Sequence, residues 1–468
     1  MHYLRGEKAR MQSPALDIKK EEVDASEKRG KYTVSIIGCG QNGILHTCSF
    51  AEVGFKVICV DSDQTIVNDI LRGKTSFLRR EIELKLKNYV KNGILTATTD
   101  FKIAVSQSDF VVITVPVEVD EEKGVDYSRI RDYCKKVGLS LRRGSVVIVA
   151  SVMGFGSTEI LIKDVLENAS GFKVGVDFGL AYSPLQIFNG QKQEILANQK
   201  RIVAASDKRS LNAASVIIKT IAGNVVEKLG SIKVAEAAVL FEAVQGDVAV
   251  AVASEFAFFC EKAGIDYFEV YELAKACGSG TLALPMFADG KEQVEPYLFL
   301  ENIENLELKL RMPATAREVN EEINRHVVNL VKDALKSCGK TLRRARISLL
   351  GVSQTPNMKS PPNETVKELV KTLEARGAKI NIYDPYLSGE LAEMQRYFKK
   401  NLTETLEGAD CILLITGHEQ FKRLDLKKVK IIMKMPAAIV DLKGIVEPFK
   451  VEREGFIYRG LGRGVWTK

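Results

Sequence analysis

The stretch TVSIIGCGQNGILHTCSFAEVGFKVICVDSD, residues 33–63, decides the fold. It opens on a short β-branched run, and KVICV at 56–60 is a second one. Between them lie a glycine turn and a segment with helical patterning. Strand, turn, helix and strand in this order form the opening unit of a doubly wound α/β domain. Gly38, Gly40 and Gly43 have the GxGxxG spacing. The first glycine permits the tight turn, the second lets the backbone approach a pyrophosphate, and the third lets helix and strand pack closely. The unpaired N–H groups at the helix start then face the phosphates. Asp61 follows Gly43 by 18 residues, where a carboxylate receives the ribose hydroxyls and repels a 2′-phosphate, so NAD is expected over NADP. A glycine turn serving only packing is the bland alternative, and the matching strand, helix and acid weigh against it.

Further α/β units follow. DFVVITVP (109–116) and SVVIVAS (145–151) are near-continuous apolar runs, the mark of buried parallel strands. The segments at 174–184 and 200–206 are expected to add two more. Val115, Pro116 and Ser151 then lie at the carboxyl edge of the sheet, where such folds bind ligands, and are assigned to the cofactor site. A second, smaller doubly wound unit begins at RISLLGV (346–352) and continues through KINIYDP (379–385). Its first turn lacks the glycine fingerprint, so its ligand differs from that of the first unit. Between the two runs the longest apolar segment of the chain, 233–262, broken by Glu236, Glu242, Asp247 and Glu255. Those acids argue against a membrane span and for a long helix buried on several sides. The least regular part is 279–312. The expected architecture is α/β: two Rossmann-like domains joined by a central helical domain. The boundaries are a disordered tail at 1–30, an NAD-binding domain at 31–210, a helical dimerisation domain at 211–340 and a C-terminal domain at 341–468.

Composition narrows the partners. The net charge is +7, but basic and acidic residues are interleaved and no basic stripe with aromatics occurs. That excludes a nucleic-acid binder and leaves anionic small molecules compatible. The eight cysteines have no short paired spacing and the four histidines are scattered. Neither a disulfide framework nor a metal site is expected, and a reducing cytoplasm fits.

These stretches together resemble the UDP-glucose/GDP-mannose dehydrogenase family, the nucleotide-sugar 6-dehydrogenases. The pieces that carry the resemblance are IIGCGQNG with VDSD, LTATTD (95–100), GSTE (156–159), KVAEAAVLFEAV, AVASEFAFFCEKAGID (251–266), REVNEEI (317–323), INIYDP and YRGLGRG (458–464). The resemblance implies an NAD domain, a central helix that forms a homodimer, and a C-terminal domain that binds the nucleotide sugar. It also implies oxidation of a sugar CH–OH group in two steps, the second through a cysteine thiohemiacetal. The cysteine of the family's glycine-rich loop is replaced by Lys291 here, and the aspartate that follows by Glu295. Both become weak candidates for an acid/base role, against the blander reading of solvated loop residues. The loop threonine is missing in Val115-Pro116-Val117-Glu118, a glutamate is replaced by Leu185, a helix lysine by Val239 and the asparagine after it by Ala243. Glu159 and Glu236 match family positions and read as helix caps. Two functions follow: an NAD-dependent oxidoreductase with a rebuilt site, or an inactive NAD- or nucleotide-binding paralogue that pairs with a true dehydrogenase. Turnover separates them.

Overall fold

A computed structural model of the chain describes residues 14–75, 80–120, 122–185, 200–278, 282–287, 294–387 and 394–464. The chain forms two compact units, the first ending at Leu240 and the second beginning at Phe241.

The first unit is built on an eight-stranded sheet. In chain order its strands are β1 (Thr33–Ile37), β2 (Lys56–Val60), β3 (Leu95–Thr98) and β4 (Phe110–Ile113). After a small antiparallel hairpin of β5 (Glu118–Val119) and β6 (Val125–Asp126) come β7 (Val146–Val149), β8 (Gly179–Tyr182), β9 (Lys200–Ala205) and β10 (Asn224–Leu229). The order across the sheet is β10-β9-β8-β7-β4-β1-β2-β3. From β3 to β8 all pairs are parallel. Val111, Val112, Val147, Ile148 and Ala181 have no exposed surface, as strands covered on both faces require. The chain reverses direction along the sheet between β1 and β4, so the crevice for a ligand opens above their carboxyl ends.

Three expectations are corrected here. First, β9 pairs with β8 antiparallel, not parallel; an antiparallel neighbour needs no crossover helix. The sheet also runs on to Leu229, past the expected boundary at 210. Second, residues 14–30 are not a disordered tail. Leu16, Ile18 and Val23 are buried, Leu16 N–H donates to Gly144 O at 2.8 Å, and Arg29 donates to Val53 O at 3.0 Å. A charged composition hid three apolar anchors spaced along the strap. Third, the stretch 279–312 is not wholly irregular, since it contains the helix Glu295–Asn305 and the start of the helix Arg311–Glu321. Pro296 and Pro313 lie in their first turns, where a missing N–H costs nothing.

The second unit carries a five-stranded parallel sheet of β11 (Arg346–Leu350), β12 (Lys379–Tyr383), β13 (Cys411–Leu414), β14 (Ala438–Asp441) and β15 (Ile457–Gly460). Their order is β12-β11-β13-β14-β15. The helix Ile323–Ser337 packs Val327, Val328, Val331 and Leu335 into the core of this sheet.

The central helix spans Ile232–Ala263. It is long and apolar enough to cross a bilayer, with a mean hydropathy of 1.5 in its most apolar window. Two of its acids nevertheless point into protein. Asp247, 2% exposed, accepts from Arg317 Nε at 2.6 Å and from Asn320 Nδ2 at 2.9 Å. Glu236 has no exposed surface. The helix is buried on part of its circumference only. Its exposed large apolar residues are Val234, Phe241, Val252, Phe256 and Phe259, which at 3.6 residues per turn fall within a sector of about 60°.

Candidate functional site

The glycine turn is held by contacts that two of its three glycines cannot give up. Gly38 has φ +89°, and a Cβ on it would stand 2.8 Å from Val115 Cγ2. Gly43 packs so tightly that a Cβ would lie 2.0 Å from the Gly38 carbonyl oxygen. Gly40 differs. Its φ of −68° suits any residue, and nothing lies within 4 Å of where its Cβ would be. Neither backbone conformation nor packing asks for glycine there. Gly40 caps the N-terminus of the helix Gln41–Glu52, where unpaired N–H groups face outward. A methyl group would occupy space that a phosphate approaching those N–H groups needs.

Asp61 sits just past β2, 2% exposed. Its Oδ2 accepts the Cys39 N–H at 2.7 Å, and its Oδ1 accepts the Asp63 N–H at 3.1 Å. The carboxylate therefore fixes the glycine turn. The Tyr133 hydroxyl, on the helix Ser128–Gly138, reaches the same Oδ1 at 3.4 Å and the Ser62 Oγ at 2.5 Å.

The carboxyl edge of the sheet is clamped by hydroxyls. Thr114 Oγ1 donates to Gly38 O at 2.6 Å, and Ser151 Oγ donates to Val115 O at 2.6 Å. The expected site residues of the first unit, Gly38, Gly40, Gly43, Asp61, Val115, Pro116 and Ser151, thus lie along the ends of β1, β2, β4 and β7. Pro116 is exposed and Val115 buried.

Next to the glycine-turn helix, Arg201 donates to Ser183 O at 2.6 Å and lies 3.3 Å from His46 Nε2. Both side chains are buried. Burial and the neighbouring Arg201 charge bring the His46 pKa down to about 3, and burial brings Arg201 to about 10. His46 is therefore neutral. Its Nδ1–H donates to Asn42 O at 2.8 Å, leaving Nε2 to accept from the guanidinium. Two further acids work as crossed caps. Glu236 accepts the N–H groups of Gly156 and Thr158 at 2.6 and 2.9 Å, and Glu159 accepts the Ile232 N–H at 3.1 Å. Desolvation raises the Glu236 pKa against the pull of these bonds.

In the second unit the switch point lies between β11 and β13. Asp384, beyond β12, accepts the N–H groups of Val352 and Ser353, both at 2.8 Å. This repeats the role of Asp61. His418 lies 3.0 Å from Ser353 Oγ and accepts the Asn357 N–H on Nδ1 at 2.8 Å. The turn after β11 is thus rigidly built although it has no glycine fingerprint.

Of the two weak catalytic candidates, Lys291 lies outside the described residues. Glu295 is half-buried at the first position of its helix. Val239 and Leu185 are buried apolar residues. All eight cysteines are described; seven are buried and Cys277 alone is exposed, at the end of the helix Tyr267–Ala276. Burial lifts Cys48 and Cys134 to about 12 and raises Cys260 and Cys338. Contact with Cys59 and burial lift Cys39 far above the thiol range. Among the described residues no group of three or more His, Cys, Asp and Glu could hold a metal ion. Sequence reasoning missed Thr114, Tyr133 and Ser62. A hydroxyl far along the chain carries no local signal of the loop it will reach.

Residues 32–222 match the family model described as the NAD binding domain of the UDP-glucose/GDP-mannose dehydrogenase family, and residues 348–448 match its UDP binding domain. The UDP-N-acetyl-D-mannosamine dehydrogenase of Pyrococcus horikoshii is 26% identical over 435 residues, covering 92% of this chain and 99% of that one. A UDP-N-acetyl-D-glucosamine 6-dehydrogenase of Pseudomonas aeruginosa is 26% identical over 429 residues, covering 89% and 98%. The solved structure of the Pyrococcus horikoshii enzyme superposes with a TM-score of 0.82 at 25% identity, over 92% of this chain and 100% of that one.

Proposed function

Because the chain belongs to the UDP-glucose/GDP-mannose dehydrogenase family, we propose that it oxidises a CH–OH group of a UDP-linked hexose, with NAD as the acceptor. The relatives named for UDP-N-acetyl-mannosamine and UDP-N-acetyl-glucosamine support an N-acetylated hexosamine as the sugar. The observation that carries the cofactor assignment is Gly40, the one fingerprint glycine that the protein's own packing does not need. Bound there, NAD supplies the hydride acceptor. The helix start at Gly40 would hold the pyrophosphate, and Asp61 the ribose. The rigid turn after β11 is the supporting feature for the UDP end.

The reaction expected is a two-electron one. An aldehyde yields a hydride only after a nucleophile has added to its carbonyl carbon. The thiols whose pKa is displaced are all buried and displaced upward, so those are not thiolates at neutral pH, and the exposed Cys277 ends the helix Tyr267–Ala276 instead of standing at the position of the family's loop cysteine. Glu295 is retained as a candidate base for the alcohol proton, and Lys291 as a second candidate. The exposed stripe Val234, Phe241, Val252, Phe256 and Phe259 supports homodimerisation along the central helix, since such a patch on a monomer is unusual. Eight free cysteines support a reducing, cytoplasmic setting. The test is NADH formation by the purified protein with UDP-N-acetyl-glucosamine, UDP-N-acetyl-mannosamine, UDP-glucose and GDP-mannose. Turnover with a UDP-sugar is expected. NAD binding without turnover on any of the four would favour the paralogue that pairs with another dehydrogenase.

A further inference from the structure

Tyr133 lies outside the glycine-turn unit, yet it is 3% exposed and its hydroxyl ends beside the ribose acid. Three contacts meet at that oxygen: the Ser62 N–H at 3.3 Å, the Ser62 Oγ at 2.5 Å and Asp61 Oδ1 at 3.4 Å. The backbone N–H can only donate, and an ionised carboxylate can only accept. All three bonds form together in one arrangement: Ser62 donates twice to the phenol oxygen, and the phenol proton points to Asp61. On the other side, the Arg129 guanidinium lies 6.0 Å from the centre of the Tyr133 ring and pairs with Glu118 at 2.6 Å. Glu118 belongs to β5, in the hairpin that leaves the carboxyl end of β4. A line of contacts therefore runs from that hairpin through Arg129 and Tyr133 to Asp61, and from Asp61 to the Cys39 N–H in the glycine turn.

We propose that Tyr133 is a positioning residue for the cofactor's adenosine ribose: it orients Asp61 so that the carboxylate meets the ribose hydroxyls, and it couples that acid to the β5–β6 hairpin. The inference rests on the NAD assignment above. In this role Tyr133 acts through Asp61 and Ser62. Glycine packing and sheet register do not depend on its hydroxyl, because the Asp61 bonds to Cys39 and Asp63 persist without it.

The test compares ligands that differ only at the ribose. Tyr133→Phe removes the hydroxyl and keeps the ring. Binding of NAD, ADP and 2′,3′-dideoxy-ADP is measured by calorimetry for the unaltered protein, for Y133F and for S62A. Ser62 is exposed, so S62A keeps the test valid if Y133F fails to fold. The expected result is a roughly three- to tenfold loss for NAD and ADP in Y133F, the size of one hydrogen bond. S62A shows a smaller loss of the same pattern, and dideoxy-ADP binds all three proteins alike. An equal loss for all three ligands means a general packing role and overturns the proposal. No loss for NAD in either variant overturns it too. If the unaltered protein binds neither NAD nor ADP, the cofactor assignment falls and this inference falls with it.

Discussion

Gly40→Ala and Gly43→Ala form a pair whose effects should separate. At Gly43 an added Cβ lies 2.0 Å from the Gly38 carbonyl oxygen. The helix and β1 must part to admit it, an overpacking of about 1–3 kcal/mol. The gain in helix propensity, about 1 kcal/mol, leaves a net cost of up to about 2 kcal/mol, and for a unit of this size each kcal/mol moves the melting temperature by about 2–4 °C. At Gly40 the methyl meets nothing within 4 Å and φ is −68°. The poorer helix cap costs under about 1 kcal/mol, and the stiffer unfolded chain returns about the same. Gly40→Ala should therefore melt within about 3 °C of the unaltered protein. Its methyl would fill the cradle, weakening NAD by about 1–3 kcal/mol, or roughly five- to 150-fold. Thermal melts with and without NAD, with calorimetric titration, read both quantities. A G40A protein that binds NAD as tightly as the parent refutes the reading of the cradle. A G40A protein that melts as early as G43A refutes the geometry from which it was drawn.

Other outcomes follow from the buried charges and the central helix. Arg317→Met strands the Asp247 carboxylate, 2% exposed, and should cost about 3–5 kcal/mol in urea unfolding; D247L/R317M should recover most of it, because the lone charge is then gone. His46 has a folded pKa of about 3 against 6.5 unfolded, so below about pH 6.5 the unfolded chain takes up a proton that the folded one refuses. Stability should then fall by about 1.4 kcal/mol per pH unit between those limits. Urea melts at about pH 7.5 and about pH 5.5 should show that extra loss in the parent and not in His46→Gln; equal losses would exclude it. Phe259→Glu puts a charge on the exposed apolar stripe and should turn a dimer into a monomer by light scattering, and a parent protein that is already monomeric would exclude helix-mediated pairing.

Residues 33–63 could be read from sequence because everything they specify is local. The apolar runs, the glycine spacing and the acid after β2 all lie within one βαβ unit, and the structure gives each its expected place. Glu159 and Glu236 read as caps because acids near helix starts often are, but the N–H groups they accept lie 73 to 80 positions away, which their local sequence does not record. What escaped depends on distant partners. Tyr133 meets Asp61 across 72 positions of chain, and no pattern near residue 133 announces it. The strap at 14–30 looks solvated because its four buried residues, Ala15, Leu16, Ile18 and Val23, are outnumbered by charges. The direction of β9 is set by how the chain returns to β8, and a strand's composition does not record its direction. Asp384 could have been anticipated: it ends its second strand as Asp61 does, but without glycines in the preceding turn the parallel was hidden.

The most direct test of the account is the number of NADH molecules formed per UDP-sugar consumed at completion. One NADH, with an aldehyde trapped by hydroxylamine, is the predicted result for an NAD-dependent dehydrogenase that carries Lys291 where the family's loop has its cysteine. Two NADH and a carboxylate product would contradict it, and so would sugar left unconsumed while NAD remains bound.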